Sequence, residues 1–281
     1  LAALNGAVYI IFVLFVGPLI VVMNLFVMFI MTRKEVRSTY TFVFFLMALN
    51  QTVVIGSLSF SMFKTLLFAG CNPWFYSLTW ALFDLIVMSQ LVSLCKAHAT
   101  WLAVILALMR LMSVRSHGTS ELQLKLVLLL CGGALLFVFI TNIPNFLSYT
   151  IYWVRFDSLC DNTDYGEMMV PITFDSIELY KNDCLILRLS SLLTGVFHSA
   201  LPCVLLIVLS VVLIRFLRKV SYINHQTFLE FTIISQVRKE RTLLILVMIT
   251  TMISEIPQAI LGLLEGFLSD QMREQVTTKI S

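Results

Sequence analysis

Lys96 and Glu255 are ionisable side chains set inside long apolar runs, and each lies fourteen residues from an arginine that ends its run, Arg110 and Arg241. If both runs are helices rising 1.5 Å per residue, each charge sits about 21 Å from the same surface. An ionisable group at mid-bilayer costs about 2.5 to 3.5 kcal/mol on insertion scales, so such groups face a bundle interior and find partners. Equal depth and opposite sign therefore predict an ion pair between Lys96 and Glu255. The competing reading is that nearby Ser, Thr or backbone groups hold each of them, or that Glu255 sits there uncharged. Pro257, two residues on, removes a backbone hydrogen bond and predicts a kink in its helix. Pro202 and Pro144 invite the same reading, although an ordinary helix end is preferred at Pro144. Asn24 could bridge helices through Gln51 or Asn50, or simply pack.

Bond-making chemistry has no comparable support. The chain carries no HExxH metal motif, no GxSxG elbow and no Gly-rich phosphate loop, so no enzyme activity, cofactor or nucleic-acid partner is expected. His98 and His198 lack a neighbouring His, Cys or carboxylate at ligand spacing, which predicts satisfied interior residues rather than metal ligands.

The elements that must position these residues follow from composition. Of 281 residues 59 % are hydrophobic and 12 % charged, with mean hydropathy +0.94, far more apolar than a soluble domain. Six runs are long enough to cross roughly 30 Å of hydrocarbon: about 7–31, 41–63, 77–109, 126–149, 189–214 and 242–264. They form one all-α membrane bundle, with a long loop at 150–184 and another at 215–241. The chain opens at Leu1 with no basic leader, so nothing reads as a signal peptide.

Twelve of the 19 basic residues fall after runs one, three and five, which should face the cytosol. The 150–184 loop carries a net charge of −5 and should face outward, placing the amino end outside. The loop at 215–241 carries six positive and two negative charges, which suits anionic lipid or an acidic partner, although topology alone produces much of that bias. Cys71, Cys160 and Cys184 lie on the outer side. A bridge from Cys71 to Cys160, or to Cys184, would tie the third helix to the long loop, and three free thiols are the alternative.

Several segments in order resemble rhodopsin-like G-protein-coupled receptors: "GPLIVVMNLFVMF" with Asn24, "TRKEVRSTYTFVFFLMALNQ", "TWLAVILALMRLMSV" with Arg110, and "HSALPCVLLIVLSVVLI" with Pro202. "RKERTLLILVMITTMISEIPQAIL" and "IPNFLSY" are similar to invertebrate myosuppressin and FMRFamide-like peptide receptors, including the nematode serpentine class w type. The resemblance implies a rhodopsin-like transmembrane helix bundle in the plasma membrane, an extracellular peptide ligand and a heterotrimeric G protein. Glu255 then takes the place of the sixth-helix switch tryptophan, Lys96 faces it, and Trp101 faces lipid or helix four. Arg110, Glu255, Pro257, Pro202, Asn24 and Gln51 become the switch and coupling residues. For Arg110 the alternative is a snorkelling anchor. Asp84, Lys96, Phe197, His198, Glu255 and Gln258 become candidate ligand contacts, and the acidic loop would attract the cation of an Arg-Phe-amide ligand.

The chain also departs from that pattern. Met109-Arg110-Leu111 stands where Asp-Arg-Tyr is usual, Gln51 or Asn50 replaces the acid of helix two, and no cysteine marks the top of helix three. Helix four lacks its common tryptophan, and the seventh helix is missing, as in an incomplete sequence or a truncated, non-signalling member. A chemoreceptor for small environmental molecules would share the fold. A transporter or channel half is the rival class, but no inverted repeat relates the first and last three helices.

Overall fold

A computed structural model describes residues 15–33, 38–67, 76–115, 124–155, 168–176 and 185–224. The expected sixth helix, and with it Glu255, Pro257 and Gln258, lies outside the described residues, as do Cys71, Cys160 and Cys184. The described chain is an α-helical bundle with four helices long and apolar enough to cross a membrane and a shorter apolar one.

Helix α1 is Gly17–Met31, with Pro18 in its first turn where a missing N–H costs nothing. It packs against α2, Thr39–Leu67. The Ser59 side chain of α2 packs directly on Gly17, where a methyl group would fall on its hydroxyl. Ser38 and Thr41 start α2 as a reciprocal cap. The Thr41 N–H donates to Ser38 Oγ and the Ser38 N–H to Thr41 Oγ1, both at 3.2 Å.

Helix α3 spans 78–115 in three parts: Leu78–Phe83, a π-helical stretch Asp84–Leu91, and Val92–Arg115. It is the centre of the bundle. Over its apolar stretch 56 % of the residues are buried, against 17 % in α2 and in α4, and 33 % in α5. Leu102, Ile105, Leu106 and Met109 meet Val43 of α2 and Val127 and Cys131 of α4, Leu124–Thr141. The small residues Ala103 and Ala107, with Val104, admit Leu206 and Leu213 of α5 on the other side.

Helix α5 spans 185–224, with a π-helical stretch Thr194–Ala200 between Leu185–Leu193 and Leu201–Asn224. It runs on past residue 214, so the first ten residues of the expected inner loop are helical. In α4 only Val127, Cys131 and Val138 are buried, a narrow stripe at helical spacing. Leu129 and Leu136 on its other faces are 71 % and 60 % exposed, a surface suited to lipid and not to water.

The expected fourth span, 126–149, is shorter in the structure. Helix α4 ends at Thr141, and a separate helical turn, Ile143–Phe146, has Pro144 in its first positions. An unbroken helix would drive the Pro144 ring into the carbonyl four residues back. The acidic loop also holds order that was not anticipated: β1, Tyr149–Arg155, pairs antiparallel with β2, Met169–Asp175, with Tyr149 opposite Asp175 and Trp153 opposite Pro171. This hairpin docks on the start of α3. Thr173 Oγ1 donates to the Ala81 carbonyl at 3.0 Å, and the fully buried Val170 packs with Tyr76.

Candidate functional site

A cavity of about 390 Å³ opens between α3, α5 and the chain that links α4 to β1. On α3 it is lined by Ser89, Ser93, Lys96 and Thr100, spaced four, three and four residues apart, so they share one helical face. Thr194, His198 and Ser199 of α5 stand opposite, and Asn145 and Tyr149 complete the polar lining.

The π-helical stretch in α5 has an identifiable cause and an unusual partner. Pro202 follows it, fully buried, and has no N–H to give the helix. The Leu201 N–H reaches back five residues to the Val196 carbonyl. In that register the Phe197 carbonyl would take the N–H of residue 202, which does not exist. The indole Nε1–H of Trp101 supplies it instead, at 3.1 Å. Trp101 therefore joins α3 to α5, and its ring also stands edge-on to Phe137 of α4 at 5.3 Å.

Two buried histidines are held by named groups. His98 Nε2 lies 3.4 Å from the Cys131 carbonyl, which can only accept, so Nδ1 is the acceptor for Asn50 Nδ2 at 2.9 Å. This bridge links α2, α3 and α4. His198 Nε2 lies 2.8 Å from Thr141 Oγ1 and joins α5 to the end of α4. Among the described residues no three His, Cys, Asp or Glu side chains cluster to hold a metal ion, and Cys95, Cys131 and Cys203 are buried and not in disulfides.

Of the residues singled out in sequence, Lys96 and His198 line the cavity together. Phe197 does not: its ring packs edge-on against Phe137 at 5.8 Å, because the π-helical turn directs it toward α4. Asp84 is also elsewhere, paired with Lys64 of α2 at 2.9 Å, with the Lys64 ammonium 5.3 Å from the Trp80 ring centre. Arg110 lies over the Tyr40 ring at 4.3 Å, tying the end of α3 to the start of α2.

The expected bridge from Asn24 is absent among the described residues. Asn50 is engaged with His98, Gln51 is exposed, and the Asn24 amide nitrogen is buried without a hydrogen bond. Sequence reasoning missed Ser89, Ser93 and Thr100, although a polar stripe at helical spacing in an apolar helix was there to be seen.

Comparison with known proteins places the chain among receptors. The profile described as serpentine type 7TM GPCR chemoreceptor Srw matches residues 10–281. The G-protein coupled receptor dmsr-1 of Caenorhabditis elegans is 31 % identical over 208 residues, which is 72 % of this chain. The matched region is 40 % of that relative's length.

Proposed function

From the membership of this chain in the Srw family of serpentine seven-transmembrane G-protein-coupled receptors, we propose that it is a plasma-membrane receptor whose ligand enters the cavity between α3 and α5. That cavity, with Lys96 and His198 facing each other across a polar wall, is the observation that carries the reading. Its volume lies within the range of about 300 to 1,000 Å³ usual for ligand pockets. It would take the end of a peptide and not the whole of one.

In this reading the hairpin end faces outward and the Arg110 end faces the cytosol, where a heterotrimeric G protein would bind. The excess of Lys and Arg in the loops at the Arg110 end supports that orientation. The favoured ligand is an extracellular FMRFamide-like or myosuppressin-like peptide. Its support is the Glu255–Gln258 stretch and the net charge of −5 between α4 and α5, which would draw in a cationic peptide. Signalling would follow outward movement of the sixth helix about Pro257, with the Lys96–Glu255 pair bridging the helices that separate. Bridging of Cys71 to Cys160 or Cys184 belongs to the same proposal.

A second reading has its own support. The family is one of serpentine chemoreceptors, and a cavity of this size also suits a small environmental molecule. The discriminating experiment expresses the complete receptor in cells with a G-protein reporter and presents Arg-Phe-amide peptides and small odorants. A response to the peptides alone supports the first reading; a response to odorants alone overturns it.

A further inference from the structure

Two consecutive residues at the end of α4 reach toward different helices. Neighbours on a helix project about 100° apart. Thr141 turns to α5, where its Oγ1 lies 2.8 Å from His198 Nε2. Asn142 turns to α3, where its Oδ1 accepts a hydrogen bond from Ser93 Oγ at 3.3 Å. His198 and Ser93 line the cavity, one from each helix, whereas Thr141 and Asn142 stand behind its wall.

The corner that carries these two side chains is held on all sides. The Asn142 N–H donates to the Val138 carbonyl at 3.0 Å, and the Asn142 carbonyl accepts from the Phe146 N–H at 3.1 Å. The Thr141 hydroxyl sits against the Phe137 and Val138 carbonyls at 3.0 and 3.1 Å. Gln90 Nε2 of α3 donates to the Asn145 carbonyl at 3.4 Å and ties the following turn to the same helix. On the Arg110 side of the cavity α3 and α5 meet directly, through Trp101 and the Phe197 carbonyl and through Ala103 and Leu206. Beyond that contact the cavity parts them, and the end of α4 spans the gap.

Asn142 is a poor choice for packing alone. Its side chain is fully buried, and its Nδ2 has no hydrogen bond among the described residues. A leucine would fill similar space without an unpaired amide nitrogen. What the asparagine adds is the bond to Ser93. We propose that Thr141 and Asn142 form a brace that fixes the separation of α3 and α5, and with it the width of the cavity. Both are positioning residues, acting through His198 and Ser93. Only the consequence for signalling rests on the reading of the cavity as the ligand site.

The separation can be measured without a ligand. In the full-length receptor in nanodiscs, Leu91 of α3 and Leu189 of α5, both exposed, are replaced by p-acetylphenylalanine and spin-labelled through its ketone, which leaves the cysteines untouched. Double electron–electron resonance then gives the distance distribution between the two helices. Thr141→Val with Asn142→Leu keeps both shapes and removes both bonds. It should broaden the distribution and move its mean by about 1 to 2 Å, the scale of helix shifts in switching proteins. Ser93→Ala with His198→Phe removes the same bonds from the other side and serves if the first pair does not fold. Asn50→Leu breaks the buried bond to His98 and should leave the distribution as it is. Asn142→Leu alone should melt no lower than the unmodified receptor, because the unpaired amide is gone, and should still broaden the distribution.

Double-variant distributions that superimpose on the unmodified one overturn the brace. An equal change in Asn50→Leu overturns it as well, since that would be general loosening. In cells with a G-protein reporter, the double variant at matched surface expression should need about tenfold more Arg-Phe-amide peptide for a half-maximal response, the scale of one hydrogen bond. Unchanged potency beside shifted distances would keep the brace and remove the cavity as the ligand site. Silence of the unmodified receptor toward the peptide removes the peptide reading, and the distances then decide the brace alone.

Discussion

At the scale of single residues, Trp101 is the side chain whose role the structure changes most. The sequence places it against lipid or helix four. It does meet Phe137 of α4, but its indole also supplies a hydrogen bond that Pro202 cannot. Leaving a buried carbonyl without a donor costs about 1 to 3 kcal/mol. Trp101→Phe keeps an aromatic ring and removes the donor, so it should destabilise the purified receptor by at least that much and lower its melting temperature; an unchanged melting curve would count against the role. Lys96 and Glu255 remain a proposal of the sequence, since only Lys96 is described. Reversing either charge alone should reduce surface expression, because two like charges would then meet within the membrane span, and reversing both should restore it. Single reversals that express like the unmodified receptor would remove the pair. His98 shows what sequence can and cannot supply. Its lack of neighbouring ligands predicts a satisfied interior residue, yet nothing in the string names Asn50 and the Cys131 carbonyl as its partners.

At the scale of elements, what could be read in advance followed from solvent. Apolar runs of twenty or more residues announce helices because a bilayer leaves backbone groups no partner except one another. The positions of α2, α3 and α5 are therefore visible in composition. The π-helical stretches are not, because they answer tertiary demands: the one in α5 reconciles Pro202 with a tryptophan 101 residues earlier in the chain. The β-hairpin is written in local composition, since "YTIYWVR" and "MVPITFD" are rich in β-branched and aromatic residues, although the charged residues around them give the segment the look of a solvated loop. The account of α5 makes an element-level prediction. Pro202→Ala restores an N–H in register with the Phe197 carbonyl, so Trp101→Phe should cost less in that background than in the unmodified receptor. A double-mutant cycle on melting free energies reads the difference. Strictly additive costs would mean that the indole and the missing N–H are unrelated.

At the scale of the whole molecule, the surface decides which solvent the bundle was built for. Helix α3 is buried over more than half of its apolar stretch, while α4 gives one stripe to the interior and leaves large apolar side chains outside. Such a surface is stable in hydrocarbon and a liability in water. Gly133, near the middle of α4, isolates the question, since a β-carbon built there meets no atom within 4 Å among the described residues. Gly133→Leu should be neutral or stabilising. It adds no clash, it is apolar, and replacing glycine within a helix gains up to about 1 kcal/mol. Gly133→Arg brings equally little steric conflict. On a face bathed in water it would be harmless, whereas at the centre of a spanning helix it costs about 2.5 to 3.5 kcal/mol on insertion. Surface expression of the two variants, measured side by side, separates the solvents. Leucine at the level of the unmodified receptor with arginine strongly reduced places lipid against this face. Arginine expressed as well as leucine would put water or protein there and would require a different packing of the bundle.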